Sequence, residues 1–255
     1  SIISGASGMT GATIYAAKSA WAQGAGAVQI ICLRGLMNLY DYHLPEMVKV
    51  GIGSETDTEL GYDHTSEILS ALSKKDGLCI IGPGLGRTEQ AMKLTQCLLE
   101  EYRGPLLLDA DAMYALSPSI LEKRPREQKL VMSPHKGEFA HLFSVLFPDH
   151  EQEPSSEVER IEWAEQIAKK FGIWIVSKGL PTAICTPEGF SYWTQYDTNL
   201  FNRTGFGDIL SGAMAAMILE TSSVDMALVK ACLQNWEQTQ DILTIKAHLS
   251  PDDLV

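Results

Sequence analysis

The sequence predicts an α/β fold, with a central, mostly parallel sheet flanked by helices on both faces. Three observations lead there. Short apolar or β-branched runs alternate with helical patterns from one end of the chain to the other. Most of those runs are unbroken by polar residues, as strands covered on both faces should be. The chain is 255 residues long, 45% hydrophobic and 20% charged, enough to bury a substantial core without a covalent or metal staple. Neither an internal repeat nor a linker interrupts the alternation, so residues 1–255 read as one domain.

The first expected strand is Ile2-Ile3, joined to a helix from Ala12 to Gln23 by Gly5-Ala6-Ser7-Gly8-Met9-Thr10-Gly11. That loop lacks the G-x-G-x-x-G spacing of a dinucleotide fingerprint. Strands follow at Val28 to Leu33, Leu78 to Ile81, Leu106 to Leu108, Leu130 to Met132, Trp174 to Val176, Ala183 to Cys185 and Ser191 to Thr194. Gly189 and Phe190 between the last two suggest a hairpin. Further helices are expected at Glu89 to Tyr102, Glu138 to Phe147, Glu157 to Phe171, Asp208 to Leu219 and Val224 to Leu243. In the last, Leu228, Leu233, Trp236 and Ile242 read as a core stripe or, failing that, a subunit interface. The polar stretch Asp149 to Ser156 is the loop most open to insertion.

Composition narrows the partners. Lys and Arg number 20 against 32 Asp and Glu, a net charge of −12, which disfavours nucleic acid. A small anion can still bind, because backbone amides and one or two cations outweigh a screened distant charge. The five cysteines are scattered, odd in number and free of C-x-x-C spacing, so reduced thiols are expected rather than disulfides or zinc. No run reaches the ~18 apolar residues of a membrane span and no leader pattern is present, so no membrane partner and a cytoplasmic location are expected. The chain opens without Met inside the apolar segment Ser1-Ile2-Ile3, and a preceding segment is therefore expected.

The most informative motif is Thr204-Gly205-Phe206-Gly207-Asp208, followed by a helix of small residues. Gly205 and Gly207 permit a tight turn with exposed N–H groups, and the helix aims its positive end at the same point, which makes an anion cradle. Asp208 at its lip either caps the helix or takes a proton from a hydroxyl while the cradle stabilises a transferring phosphoryl group. Ser177-Lys178-Gly179 ends a strand; Lys178 is either an exposed structural lysine or a partner for a nucleotide phosphate. In Ser133-Pro134-His135-Lys136-Gly137-Glu138, Glu138 suits a helix start, and His135 offers a donor or acceptor that is structural or functional. Gly82-Pro83-Gly84-Leu85-Gly86 is backbone that a flat or phosphorylated ligand can approach closely. Asp109 and Asp111 supply carboxylates for a metal-bound phosphate or for capping the next helix. These turns each follow a strand, and the carboxyl ends of parallel strands share one edge, so the turns converge on one crevice.

Ile81-Gly82-Pro83-Gly84-Leu85-Gly86, Leu108-Asp109-Ala110-Asp111-Ala112, Pro134-His135-Lys136-Gly137-Glu138, Lys178-Gly179-Leu180-Pro181-Thr182 and Gly205-Phe206-Gly207-Asp208, in that order, resemble the NAD(P)H-hydrate dehydratases, a ribokinase-like family. Gly8-Met9-Thr10-Gly11-Ala12 and Gly24-Ala25-Gly26 fit as well, and the resemblance runs to about Leu219. It implies a ribokinase-like fold and a lyase that repairs a damaged coenzyme. NADH or NADPH whose ring has added water is phosphorylated on the new hydroxyl by ATP or ADP, and loss of phosphate restores the ring. On this resemblance Asp208 is the base, and the amides from Gly205 through Gly207 to Asp208 form the anion hole. Gly84, His135, Asp208 and Ala12 contact the hydrated coenzyme, while Lys178, Gly179, Thr182 and Gly207 hold the adenine nucleotide. Mg2+ is expected from phosphoryl transfer generally, with no protein ligand assigned to it. The resemblance also implies a homo-oligomer and an epimerase for the two hydrate forms, as a separate partner or as the expected upstream domain. The family carries proline where Lys136 stands, a small hydroxyl residue where Phe206 stands, and Met-Ala-Thr-Gly where this chain has Phe201-Asn202-Arg203-Thr204, in which Arg203 is a substitute phosphate contact. Two other readings remain at this point: a sugar or vitamin-precursor kinase that leaves phosphate on its product, and a nucleotide-binding protein without turnover.

Overall fold

A computed structural model describes residues 1–74, 77–150, 152–194, 204–245 and 248–255. Its strands are β1 (Ile2–Ser4), β2 (Gln29–Leu33), β3 (Val48–Ile52), β4 (Cys79–Ile81), β5 (Leu106–Leu108), β6 (Leu130–Met132), β7 (Trp174–Ser177), β8 (Ala183–Cys185) and β9 (Ser191–Trp193). They form one sheet in the order β3-β2-β1-β4-β5-β6-β7-β8-β9. Strands β1 to β7 pair in parallel, whereas β8 and β9 run antiparallel to their neighbours as the expected hairpin.

The helices are α1 (Thr10–Ala22), α2 (Met37–His43), α3 (Thr65–Leu72), α4 (Glu89–Glu101), α5 (Pro118–Lys123), α6 (Lys136–Leu146), α7 (Glu157–Phe171), α8 (Phe206–Glu220) and α9 (Val224–Leu243). Successive strand residues point to opposite faces, and the core divides accordingly. Ile3, Ile31, Ile81, Leu108 and Met132 pack with α3 to α7 on one side. Ile2, Ile30, Ile80, Leu107 and Val131 pack with α1, α8 and α9 on the other. Strands buried on both faces require the uninterrupted apolar runs seen in the sequence. Among the described residues no helix is long and apolar enough to cross a membrane.

Four elements escape the apolar alternation. Among the described residues β3 is one of the sheet's two edge strands, and its run Val-Lys-Val-Gly-Ile is only partly buried. α2, α3 and α5 have eight residues or fewer, too short for a helical period to declare itself. α1, α6 and α8 each begin two residues before the expected start, because a residue inside the motif, Met9, His135 or Gly205, already serves as the N-cap. In α9 the buried stripe is Val224, Ala227, Leu228, Ala231, Cys232 and Asn235, whereas Leu233 is exposed. Leu233 lies five residues beyond Leu228, well round the helix from the core face, so the expected core stripe is corrected there.

Candidate active site

A cavity of about 640 Å³ opens where the carboxyl ends of β5, β6 and β7 meet the amino end of α8. Asp109 reaches it after β5, His135 and Glu138 after β6, and Lys178 after β7, with Gly205, Gly207 and Asp208 from the start of α8. The convergence expected from the motifs is therefore met for these residues.

Each position has a local cause. Gly205 is the N-cap of α8 with φ 93°, a left-handed conformation that favours glycine, and it leaves the first N–H groups of the helix facing outward. Asp208 sits three residues on, in the first turn. Helix α8 lies hard against α1: a Cβ on Gly212 would overlap the Ala16 carbonyl oxygen, and Ser19 Oγ donates to Ile209 O at 2.7 Å. The small residues of α8 thus seat the cradle.

Asp109 is 1% exposed, and its side chain makes no capping bond to the following turn. Instead Oδ1 accepts from Ser133 Oγ at 2.9 Å and from Lys178 Nζ at 2.6 Å, and Oδ2 accepts from Ser211 Oγ at 2.6 Å. Asp111 binds elsewhere, accepting from the Gly86 N–H at 3.0 Å and from Arg87 Nε at 2.6 Å. It fastens the glycine loop after β4 to the turn after β5.

His135 caps α6. Its Nδ1 accepts from the N–H groups of Gly137 and Glu138 at 2.9 and 3.2 Å, and Glu138 Oε2 accepts the His135 N–H at 2.8 Å. With Nδ1 an acceptor, the ring carries its proton on Nε2, 3.1 Å from Glu138 Oε1. The His135 side chain is nevertheless 55% exposed and lines the cavity. Capping and ligand contact coexist in one residue.

Several carboxyls crowd around one buried ammonium, which sets their protonation. Burial, reinforced by Asp109 and opposed by Lys178, pushes Asp208 up to about 7. Glu138 is also raised, by burial first, with Lys178 pulling the other way. Burial works against the charge of Lys178, but Asp109, Glu138 and Asp208 together hold its pKa above the ordinary value. A carboxyl titrating near neutrality beside helix-terminal amides can accept a proton from a ligand hydroxyl.

A family model described as NAD(P)H-hydrate dehydratase matches residues 1–250. The chain belongs to that family. The bifunctional NAD(P)H-hydrate repair enzyme of Moorella thermoacetica is 29% identical over 215 residues, which make up 84% of this chain and 39% of that one. The chain thus spans less than half the length of the bifunctional relatives it matches. The solved ADP/ATP-dependent NAD(P)H-hydrate dehydratase of Bacillus subtilis, co-crystallised with ATP/Mg2+ and soaked with CoA, superposes with a TM-score of 0.79 at 23% identity, covering 99% of this chain and 88% of that one. Ribokinase of Thermotoga maritima superposes with a TM-score of 0.55 at 11% identity, covering 87% and 76%. The fold is ribokinase-like.

The other expected positions divide between the cavity wall and its surroundings. Gly84 and Ala12 are not among the lining residues. The Gly84 carbonyl accepts from the Gly5 and Ala6 N–H groups at 3.3 and 2.9 Å, which joins the loops after β1 and β4 at the point where strand order reverses. Gly179 lines the cavity, and a Cβ on it would press on the Arg160 guanidinium below. Thr182 is buried and exchanges hydrogen bonds with Gly179, closing the turn that follows Lys178. Phe206 turns away from the cavity into a cluster with Ile209, Leu249 and Leu254, so its bulk does not narrow the site. Arg203 lies outside the described residues.

Sequence reasoning missed Ser133, Ser211 and Arg160 as supports of the site. Arg160 is buried in α7, donates to Ser177 Oγ and pairs with Glu157 on the cavity wall. An arginine on the apolar stripe of a helix was the available signal.

Proposed function

We propose that residues 1–255 form one domain that uses ATP or ADP to dehydrate hydrated NADH or NADPH, returning the reduced coenzyme. Membership of the dehydratase family supports this reading. The observation that carries it is Asp208, a partly buried carboxyl with a pKa of about 7 on the wall of a cavity that also contains Lys178 and the amino end of α8.

In this reading Asp208 accepts the proton of the ring hydroxyl as its oxygen bonds to the terminal phosphorus of the nucleotide. The bond from that phosphorus to the leaving nucleotide oxygen breaks, and the α8 amides and the Lys178 ammonium stabilise the charge. Hydroxide is a poor leaving group and phosphate a good one, so the phosphorylated ring expels phosphate and regains its double bond on losing a proton. His135, Gly84 and Ala12 contact the coenzyme, and Lys178, Gly179, Thr182 and Gly207 hold the nucleotide.

The cavity suits a cation travelling with the phosphates. Among its described lining residues, Asp109, Glu138, Glu157 and Asp208 outnumber Lys136 and Lys178. Mg2+ keeps several waters and would be held chiefly by the phosphate oxygens, whose charge it would neutralise; among the described residues no group of acids is arranged to hold the ion by itself. We further place the protein in the cytoplasm as a homo-oligomer, working with an epimerase, and the bifunctional relatives support a second repair activity beside this one.

The test mixes the protein with hydrated NADH, ADP or ATP, and Mg2+. Return of reduced-nicotinamide absorbance with release of equimolar phosphate is expected. Neither signal appearing overturns the reading, and a stable phosphate ester without free phosphate assigns a kinase instead.

A further inference from the structure

Asp109 is a residue the proposed chemistry does not itself consume, yet it is the best-partnered acid of the cavity. Its donors come from three separate places: Ser133 after β6, Lys178 after β7 and Ser211 within α8. Its backbone is equally constrained. A Cβ on Gly82 would overlap the Asp109 carbonyl oxygen, and the next residue, Ala110, holds φ 48°, a left-handed value that is strained for a residue with a side chain. A helix cap would need none of this. A charge buried so fully is tolerated only with such partners, and the ammonium it holds gives up the rotamer freedom of a long side chain. The Lys178 side chain is 17% exposed, and its ammonium lies beside Gly207, where a Cβ would stand 3.4 Å from Nζ.

We propose that Asp109 is a positioning residue for phosphoryl transfer, acting through Lys178: it holds that ammonium beside the first turn of α8, where phosphate is to bind. The proposal rests on the reading of the site given above. It has an electrostatic corollary. Asp208 faces the acids Asp109, Glu138 and Asp111 and the cation Lys178, with His135, Lys136 and Glu157 on the same cavity wall. Without the charge of Asp109, Lys178 favours ionised Asp208 more strongly, and Asp208 becomes a base at lower pH.

The decisive variant is Asp109→Asn, nearly identical in shape. Its affinity for ADP with Mg2+, measured by titration calorimetry, is expected to fall by about tenfold or more, the scale of a hydrogen bond to a charged group. The acid limb of its pH–rate profile for restoring hydrated NADH is expected to move to lower pH. Ser211→Ala, which keeps the charge, is expected to lose less affinity and to leave that limb in place. A folded Asp109→Asn variant with wild-type ADP affinity and an unmoved limb overturns the proposal. Should Asp109→Asn fail to fold, the double variant Ser133→Ala/Ser211→Ala decides: a severalfold loss of ADP affinity supports the proposal and wild-type affinity overturns it. Wild-type protein that binds ADP without restoring NADH overturns the dehydratase reading alone, and the calorimetric comparison still decides the role of Asp109. Wild-type protein that binds no ADP overturns both.

Discussion

An acid with a pKa of about 7 is half ionised at neutrality, so Asp208 is available as a proton acceptor at working pH. Asp208→Asn keeps the shape and removes the acceptor. Turnover is expected to fall by about 10² or more with little change in nucleotide affinity, as read by steady-state kinetics and calorimetry. Wild-type turnover should rise with pH through about 7, and the variant should lose this limb. The same shift affects stability. The contribution of Asp208 is full below its ordinary pKa of 3.8, declines as pH rises, and is gone above about 7. The melting temperature of Asp208→Asn relative to wild type should therefore climb across that window. His135 separates two roles in the same way: His135→Ala removes the α6 cap and should cost about 1 kcal/mol in a denaturation curve, whereas His135→Asn keeps a capping acceptor and should change mainly the KM for the coenzyme. Asp208, Lys178 and His135 were legible because each stands in a short motif at a strand end or helix start. Ser211 was not, since the residue that gives it a task, Asp109, is 102 positions away.

The elements that hold these residues were legible where burial leaves a period in the sequence. α4, α7 and α8 announce themselves by length and patterning, whereas α2, α3 and α5 carry too few turns to do so. The two-residue errors at the starts of α1, α6 and α8 have a common origin: the backbone turns helical inside each chemical motif, at Thr10, Lys136 and Phe206, where glycine and polar residues hide the helical pattern. Close approach of α1 and α8 could not be read from either helix alone, because small residues suit many neighbours. Gly212→Leu tests that approach. The new side chain meets the Ala16 carbonyl, so a loss of about 1–3 kcal/mol is expected by chemical denaturation, and turnover should fall as α8 carries Asp208 out of place.

At the scale of the molecule, the division of the core into two faces follows from strand alternation and was foreseeable; the edge strand β3, interrupted by Lys49 and Gly51 and partly exposed, was not. The packing of residues 249 and 254 against the start of α8 was also beyond sequence reasoning, because Phe206 was conspicuous only as a departure from the family. Its 2% exposure in a cluster with Ile209, Leu249 and Leu254 explains it: the side chain ties the cradle to the last residues of the chain. Phe206→Ala should cost about 3–5 kcal/mol of stability by denaturation and weaken nucleotide binding in step, since the cradle loses its backing.

The bond pair at Asp111 extends this connectedness to the glycine loop after β4. One carboxylate grips both the Gly86 amide and Arg87 while sharing a short turn with Asp109. A displacement of the glycine segment after β4 is therefore passed directly to the turn that carries the buried acid Asp109.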